Sequence, residues 1–226
     1  MTDPAPEPPR AVPPGQRYAL DLKVQHYGPV PRFKPDSWRL AVNGATLDGK
    51  ERQFDIEEFA ALPRVSVNAD LHCVTKWSVL DNVWGGVAAR QILDLVPPAD
   101  DVTHVMAWAE YGYSANLRIE DFASPRAVLA THHGGVPLAP EHGYPLRLVV
   151  PHLYAWKGPK WLRMIEYLTE PARGFWEERG SHTLGDPWRE ERYSYQERPD
   201  DGWAAIEVRQ ALNQTTVSVI VDPLGT

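Results

Sequence analysis

The sequence has a single cysteine, Cys73, among its 226 residues. An internal disulfide is therefore excluded, and the thiol must serve as a metal ligand, as a nucleophile or as a small core residue. Lys and Arg number 23 against 30 Asp and Glu, so the formal net charge is −7. Because phosphate binding draws on a surplus of basic residues, this balance argues against nucleic acid as a partner.

Targeting signals and long apolar runs are also missing. The start, MTDPAPEPPRAVPPG, has no apolar signal-peptide core and no twin-arginine signal, and no later stretch is long enough to span a bilayer. We therefore expect a cytoplasmic protein without a membrane partner. The Pro-rich residues 1–15 predict a disordered arm, with an arm docked on its own domain or on a partner as the alternative.

The chain contains 22 Pro and 16 Gly, which leave little room for long helices, while 43% hydrophobic residues suffice for a core. Asn43-Gly44 after an apolar run is a hairpin-turn signal. Short helices are predicted over 55–62 and in VAARQILDLV after Gly85-Gly86. Strands are predicted over 102–108, 127–131, 145–150 and 161–168.

We divide the chain into one domain over 16–193 and a C-terminal extension over 194–226 that packs on it. In that extension, residues 203–213 could form a helix and TTVSVIV a final strand.

A further strand carries the cysteine. From Val65 to Cys73, apolar and polar residues alternate with a period of two, so Cys73 is the last residue on the apolar face. A side chain at such a strand end can point into a cleft while the sheet supports it, as a positioned ligand requires. A small buried core residue is the alternative that the spacing leaves open.

The cysteine lies in LHCVTKWS, and three further blocks follow: YGYSANLRIED (111–121), GGVPLAPEHGYPLRLVVPHLYAWKGPKWL (134–162) and GFWEERGSHTLGDPWREERY (174–193). Over residues 26–193 the chain resembles the molybdenum-binding catalytic domain of the sulfite oxidase family. With the strand-rich periodicity, this resemblance implies an α+β fold with mixed, mostly antiparallel sheets. It also implies a molybdenum-molybdopterin (Mo-MPT) cofactor whose metal takes Cys73 as its protein ligand, since a soft thiolate suits a metal held by a dithiolene.

The resemblance assigns further residues to the cofactor. Arg147 matches the arginine that holds the phosphate end, and Ser114 or Asn116 is expected near the pterin. The other matching positions are the early segment His26, Tyr27 and Gly28, the contact position His142, and the clamp Gly158, Pro159 and Lys160.

The residues themselves support these roles. Arg147 lies inside the apolar run LRLVV, where an unpaired charge is costly, so it needs an anionic partner. Lys157 and Lys160 are close enough to neutralise the same anion, and internal ion pairs are the alternative. A zinc site at His132-His133 is disfavoured because no Cys-x2-Cys or His-x3-His spacing accompanies it. We place His132 instead with Tyr111, Tyr113 and Lys76 around the open side of the metal.

After the cysteine, sulfite-oxidising relatives carry arginines, whereas this chain has Val74, Thr75, Lys76, Trp77 and Ser78. One lysine does not replace a bidentate guanidinium, so sulfite itself is disfavoured as the substrate. We expect two-electron oxygen-atom transfer on a small substrate: a sulfite-like oxyanion, a sulfoxide or an N-oxide. No haem, flavin or iron–sulfur motif is visible, which implies a separate electron-transfer protein.

Two alternatives belong to other classes. One is a non-catalytic module that keeps the fold without the cofactor, which the missing arginines favour. The other is a hydrolase with Cys73 as nucleophile and His72 or His132 as base. Adjacent strand residues point to opposite faces, so His72 is poorly placed for that role.

Overall fold

The computed structural model describes residues 8–198 and residue 201. The strands in this part of the chain are β1 (Arg17–Tyr18), β2 (Leu40–Gly44), β3 (Arg52–Phe54), β4 (Val65–Cys73), β5 (Trp77–Ala88), β6 (His104–Ala109), β7 (Ser114–Arg118), β8 (Val128–His133), β9 (Val136–Pro137), β10 (Arg147–Val149) and β11 (Leu162–Leu168). The α-helices are α1 (Ile56–Ala60), α2 (Ala89–Leu95) and α3 (Ile119–Phe122). No helix in the described residues has the length and apolar character that a bilayer crossing requires.

The strands form two sheets. The first has the order β1-β5-β8-β10, with β4 also paired to β5 and β9 to β8, and the second has the order β3-β2-β11-β6-β7. The pairs β1–β5 and β2–β11 are parallel, whereas the remaining pairs are antiparallel. The predicted α+β class with mixed, mostly antiparallel sheets and short helices is confirmed.

The centre of the first sheet is buried on both faces. On β8, Leu129 belongs to a core cluster that also contains residues of the second sheet, such as Val42 and Ile165. Its neighbours Val128 and Ala130 point the other way, into a second cluster. Cys73 packs at the edge of that second cluster, so the predicted strand end does receive support from behind.

Helix α1 begins where the sequence predicts it. Asp55 Oδ1 accepts hydrogen bonds from the backbone N of Glu57 and Glu58, at 3.0 and 2.8 Å, and Glu58 Oε2 accepts from Asp55 N at 3.0 Å. This reciprocal capping box satisfies backbone donors that the first turn leaves free.

The Asn43-Gly44 prediction is wrong in its geometry. Strands β2 and β3 do pair antiparallel, but residues 45–51 connect them, so these two residues are not a two-residue turn. They continue β2 instead, because Asn43 and Gly44 pair in parallel with Glu166 and Tyr167 of β11.

The predicted helix after Gly85-Gly86 begins later than expected. Residues 85–88 complete the long strand β5, and α2 begins at Ala89. A Cβ atom on Gly86 would stand 2.1 Å from the carbonyl oxygen of Leu129. The glycine therefore permits close approach of β5 and β8 and does not break the strand.

The N-terminal residues that the structure describes lie against the body. Arg10 Nη2 is 2.5 Å from Asp70 Oδ1 and 3.0 Å from Asp81 Oδ1, and Pro13 is buried. The disordered arm predicted over 1–15 is thus corrected for residues 8–15, which dock on their own domain, while residues 1–7 lie outside the described residues. At the other end, Glu197 pairs with Arg173 at 2.7 Å. The helix predicted over 203–213 and the strand TTVSVIV also lie outside the described residues, and the domain boundaries stay predictions.

Candidate functional site

Cys73 ends β4 with its side chain half-buried in a small polar cluster. Its Sγ donates to Gln25 Oε1 at 3.2 Å and lies 3.2 Å from Thr75 Oγ1. Thr75 Oγ1 and Trp77 Nε1 each donate to the same Gln25 oxygen, also at 3.2 Å. Gln25 is therefore the centre of the cluster, and nothing in its sequence position, one residue before the HYG segment, marked it.

The thiol is not prepared to act as a free nucleophile. Burial raises the pKa of Cys73, while hydrogen bonds from Thr75 and the charges of Lys160 and Arg192 oppose that rise. A thiol with a raised pKa remains protonated at neutral pH unless a metal displaces the proton. This environment favours the ligand interpretation of Cys73 over the hydrolase alternative.

Arg147 is a buried cation with no acidic partner. Its side chain on β10 is 3% exposed, and no carboxylate within the described residues lies within ion-pair distance of it. Nη1 donates to His142 O at 3.3 Å, Nη2 lies 3.5 Å from Gly158 O, and Nε has no partner. Burial lowers the pKa of this guanidinium to about 10. The guanidinium also lies 5.2 Å from the ring centroid of Trp84, and a buried cation without a carboxylate partner is a candidate site for an external anion.

Lys160 stands beside Arg147. The two residues form a backbone bridge, and Lys160 Nζ donates to the carbonyl oxygens of Gln25 and Glu141, each at 2.8 Å. Burial, followed by repulsion from Arg147, lowers the pKa of Lys160 to about 7. Through Gln25 this second cation without a carboxylate is connected to the Cys73 cluster.

Lys157 has a different environment from Lys160. Its Nζ lies 2.6 Å from Glu177 Oε1 and 2.7 Å from Asn116 O, and also contacts Asn116 Oδ1. Lys157 and Glu177 are both buried, and the three donors of the ammonium group are all used. The prediction that Lys157 shares an anion with Lys160 is therefore corrected: the internal ion pair is what forms, and it also occupies Asn116.

The clamp residues of the sequence analysis surround Arg147. Gly158 admits no side chain, because a Cβ would stand 2.4 Å from Leu148 O, and its own carbonyl faces Arg147 Nη2. Pro159 O accepts from Leu148 N at 3.0 Å, and half-buried His142 offers Arg147 its backbone carbonyl. These residues are brought together as predicted, although whether they bind a cofactor stays a prediction.

The side chains of His26 and Tyr27 pack against aromatic rings. His26 packs edge-on against Trp161 with ring centroids 5.3 Å apart, and Tyr27 lies 4.5 Å from Phe175. Gly28 adopts φ +72°, and the Tyr111 ring lies 3.0 Å from where a Cβ would stand. Residues 26–28 and Tyr111 therefore lie together, directly after Gln25, which contacts Cys73, and their roles at a cofactor stay predictions.

In the segment YGYSANLRIED, Tyr113 and Ser114 both make buried hydrogen bonds. Tyr113 donates through its hydroxyl to Trp156 O at 2.7 Å, and burial raises its pKa well above the usual range, with the negative charge of Glu177 adding to the rise. It is therefore a neutral hydrogen-bonding group. Ser114 is buried, and its carbonyl accepts from Phe175 N at 2.9 Å.

The side chains of His132 and Lys76 do not join the polar cluster around Cys73. His132 pairs with Gly85, whereas Cys73 pairs with Trp77 on the same strand. These two positions are eight residues apart along β5 and no described contact joins His132 to Cys73, so the structure does not bring His132 to the thiol as predicted. Its ring contacts Arg64 Nη2 at 2.8 Å and Thr131 Oγ1 at 2.9 Å. Lys76 is exposed in the turn after Cys73.

Cys73 lines neither of two clefts that residues of the described part of the chain form. A cleft of about 210 Å³ includes His132 and Arg64. A larger one, of about 340 Å³, lies beside Tyr111 and Trp161 and has Arg32 on its rim. Segment 25–28, which touches Cys73 through Gln25 and Trp161 through His26, separates the thiol from the larger cleft.

A second group of potential metal ligands, the buried residues His182, Glu191 and Asp201, is better described as an ion-pair cluster. Their donor atoms lie within 4.8 Å of one another. His182 Nδ1 accepts from Leu184 N at 3.1 Å, which places the proton of the neutral ring on Nε2, 3.5 Å from Asp201 Oδ2. Arg189 Nε is 2.9 Å from Glu191 Oε1 and supplies the positive charge. His182 Nδ1 is therefore occupied, whereas Nε2 has no hydrogen-bond partner among the described residues.

Comparison with known proteins adds to this geometry. The sequence model of the oxidoreductase molybdopterin binding domain matches residues 27–176. An uncharacterized oxidoreductase of Bacillus subtilis, YuiH, is 43% identical over 185 residues, which cover 81% of this chain and 92% of YuiH. A putative protein-methionine-sulfoxide reductase subunit of Azospira oryzae, YedZ1, is 27% identical over 149 residues, 66% of this chain and 56% of that protein. The chain thus spans about half the length of this second relative.

Among solved structures, the sulfane dehydrogenase SoxCD from Paracoccus pantotrophus is similar with a TM-score of 0.59 and 21% identity. The match covers 65% of this chain and 42% of the SoxCD chain. At this identity the likeness shows the fold alone.

Proposed function

Since the chain belongs to the oxidoreductase molybdopterin binding domain family, we propose that it is a molybdenum-molybdopterin oxidoreductase in which Cys73 is the protein ligand of the metal. The observation that carries this proposal is the pair of Arg147 and Lys160. Both are cations without a carboxylate partner in the described residues, and both lie next to the Cys73 cluster.

The residues present fit a phosphorylated pterin. Arg147 Nε has no hydrogen-bond partner, and the contacts of its two Nη atoms are long, at 3.3 and 3.5 Å. A phosphate would accept charge-assisted hydrogen bonds from this guanidinium and from Lys160 Nζ. It would also oppose the burial that lowers the pKa of both groups. We therefore assign the phosphate end to these two residues and leave Lys157 to its ion pair with Glu177.

When bound, the cofactor supplies the two-electron oxygen-atom transfer. The chain holds the metal with the Cys73 thiolate, positions that sulfur through Gln25 and Thr75, and shields it with the buried ring of Trp77. Tyr113, kept neutral by burial, can present no charge to a substrate.

We propose a small substrate that carries a transferable oxygen or accepts one. The only cation in the turn after Cys73, residues 74–76, is the exposed Lys76. It cannot form the bidentate hydrogen bonds by which a pair of arginines would bind a dianion. A sulfoxide or an N-oxide is therefore favoured over a sulfite-like oxyanion. The name of the YedZ1 relative, a putative protein-methionine-sulfoxide reductase subunit, supports the sulfoxide.

Electrons must reach such a centre from outside. The sequence shows no haem, flavin or iron–sulfur motif and the described residues contain one thiol, so we propose a separate electron-transfer protein as the partner. The name of the YedZ1 relative, a reductase subunit, is consistent with a separate protein that supplies the electrons. We also propose a cytoplasmic location, which suits a lone unpaired thiol.

The test is molybdenum per chain, with the absorption band of a thiolate bound to molybdenum, on protein made in a host that synthesises the cofactor. We expect near-stoichiometric metal in the wild type, loss of the thiolate band in Cys73→Ser, and loss of cofactor in Arg147→Met. Arg64→Met, at the distant His132 cleft, is the matched control and should retain both. A wild type without metal, from a host that loads a control molybdoenzyme, would instead support the non-catalytic module.

A further inference from the structure

The turn that carries Cys73 into β5 has an unfavourable backbone conformation. Residues 74–76 connect β4 to β5, and Lys76 N donates to Cys73 O at 3.1 Å. Lys76 adopts φ +69°, a left-handed conformation that suits glycine and is costly for other residues. Such a conformation persists only where the surroundings hold it in place.

One of the groups that hold this turn is Arg192. The residue is 5% exposed, and Nη1 lies 2.5 Å from the carbonyl oxygen of Val74. Nη2 lies 3.4 Å from Pro14 O, and the guanidinium stacks 4.9 Å from the ring centroid of buried Tyr154. Glu190 is 3.7 Å away, too far for a short ion pair. The guanidinium is thus fixed by packing on one side and directed at the turn on the other.

Further support comes from the N-terminal segment. Gln16 Nε2 donates to Cys73 O at 3.0 Å, and Arg17 N donates to Lys76 O at 2.9 Å. Residues 14–17 and Arg192 all lie outside the matched range 27–176 of the family domain. The metal-ligand turn therefore depends on two segments that flank the matched domain in sequence.

We propose that Arg192 is a positioning residue for the metal ligand: by binding the Val74 carbonyl it fixes the turn that presents Cys73. This inference rests on the proposed function for its chemical purpose, and on the geometry of Arg192 alone for the holding of the turn. A planar guanidinium can reach Val74 O and Pro14 O at once and still stack on Tyr154. A lysine at this position keeps the charge and an ammonium donor group but loses the planar fork and the stacked plane.

The first measurement is hydrogen exchange at the Lys76 amide, which is bonded to Cys73 O, in the protein as isolated. In Arg192→Gln we expect this amide to exchange about tenfold faster or more, since a hydrogen bond from a charged donor is lost. Arg192→Lys should be intermediate. The control, Arg179→Gln, removes an exposed arginine that donates to Phe175 O, and should leave Lys76 unchanged. Unchanged exchange in Arg192→Gln would overturn the proposal.

The second measurement separates positioning from general stability. In metal-loaded protein, the Mo(V) electron paramagnetic resonance signal should shift in Arg192→Gln and return towards the wild type in Arg192→Lys. A lowered melting temperature with an unaltered signal would show a merely structural role and overturn the proposal. If Arg192→Gln does not fold, Arg192→Lys decides through the same two measurements. If the wild type holds no molybdenum, the proposed function fails, while exchange at Lys76 still decides whether Arg192 holds the turn.

Discussion

Lys157 and Lys160 are three residues apart, but only Lys157 has a carboxylate partner among the described residues. Lys157 is fully buried and bound by Glu177 and Asn116, so its charge is neutralised inside the protein. Lys160 and neighbouring Arg147 donate to backbone carbonyls, the Arg147 guanidinium also lies 5.2 Å from the ring centroid of Trp84, and neither cation has a carboxylate partner among the described residues. Removing one partner of a buried ion pair is strongly destabilising, whereas a buried cation without a carboxylate partner is a candidate site for an external anion.

The largest expected effect comes from removing the lysine that has an internal partner, Lys157. Lys157→Met leaves Glu177 buried without a counter-charge and should lower the free energy of unfolding by about 3–5 kcal/mol. Urea denaturation of pterin-free protein measures it. Arg52→Gln, which removes an exposed ion pair with Glu58 at 2.8 Å, is the control and should cost about 0.5 kcal/mol or less. A loss as small as that of the control would show that the pair is not structural.

Arg147→Met, which removes a buried cation without a carboxylate partner, should not lower the free energy of unfolding. In pterin-free protein it removes a buried charge that has no partner, so stability should stay the same or rise by about 1 kcal/mol. The same denaturation experiment measures this, beside Lys157→Met. A destabilisation comparable with that of Lys157→Met would mean that Arg147 has an internal role and is not reserved for an anion.

A smaller effect is expected from pH. The pKa of Lys160 in the folded protein, about 7, lies below that of a lysine in the unfolded chain, so above that value the unfolded state binds more protons. The contribution of Lys160 to stability should therefore improve as pH rises from neutral towards the ordinary lysine pKa of ~10.4. Relative to Lys160→Met, pterin-free wild type should gain about 1 kcal/mol between neutral pH and ~9, after allowing for solvent screening. Parallel curves for the two proteins would contradict the depressed pKa.

Local patterns predicted much of the fold and part of the site. The period-two alternation from Val65 to Cys73 defined β4 to the residue, because one face of that strand is buried and the pleat repeats every second residue. The apolar run around Arg147 likewise predicted a buried cation in need of an anion, and the structure shows that cation without a carboxylate partner.

What local patterns missed depends on contacts between distant residues. Lys157 and Lys160 look alike in sequence, and only the position of Glu177, twenty residues beyond Lys157, separates them. His132 was misplaced because its distance from Cys73 follows from the register of β5 and β8. Gly85-Gly86 resembled a helix start because the close approach of β8 is not visible in the sequence. Sequence alone therefore identified the residue types of the site better than their partners.

The most direct test of the central claim is X-ray absorption at the molybdenum edge, on wild type and Cys73→Ser purified from a cofactor-producing host. The account predicts one more sulfur ligand per molybdenum in the wild type than in the variant, with the pterin sulfurs present in both. Equal sulfur counts in two metal-loaded proteins would contradict Cys73 as the ligand and remove the basis for the site described around it.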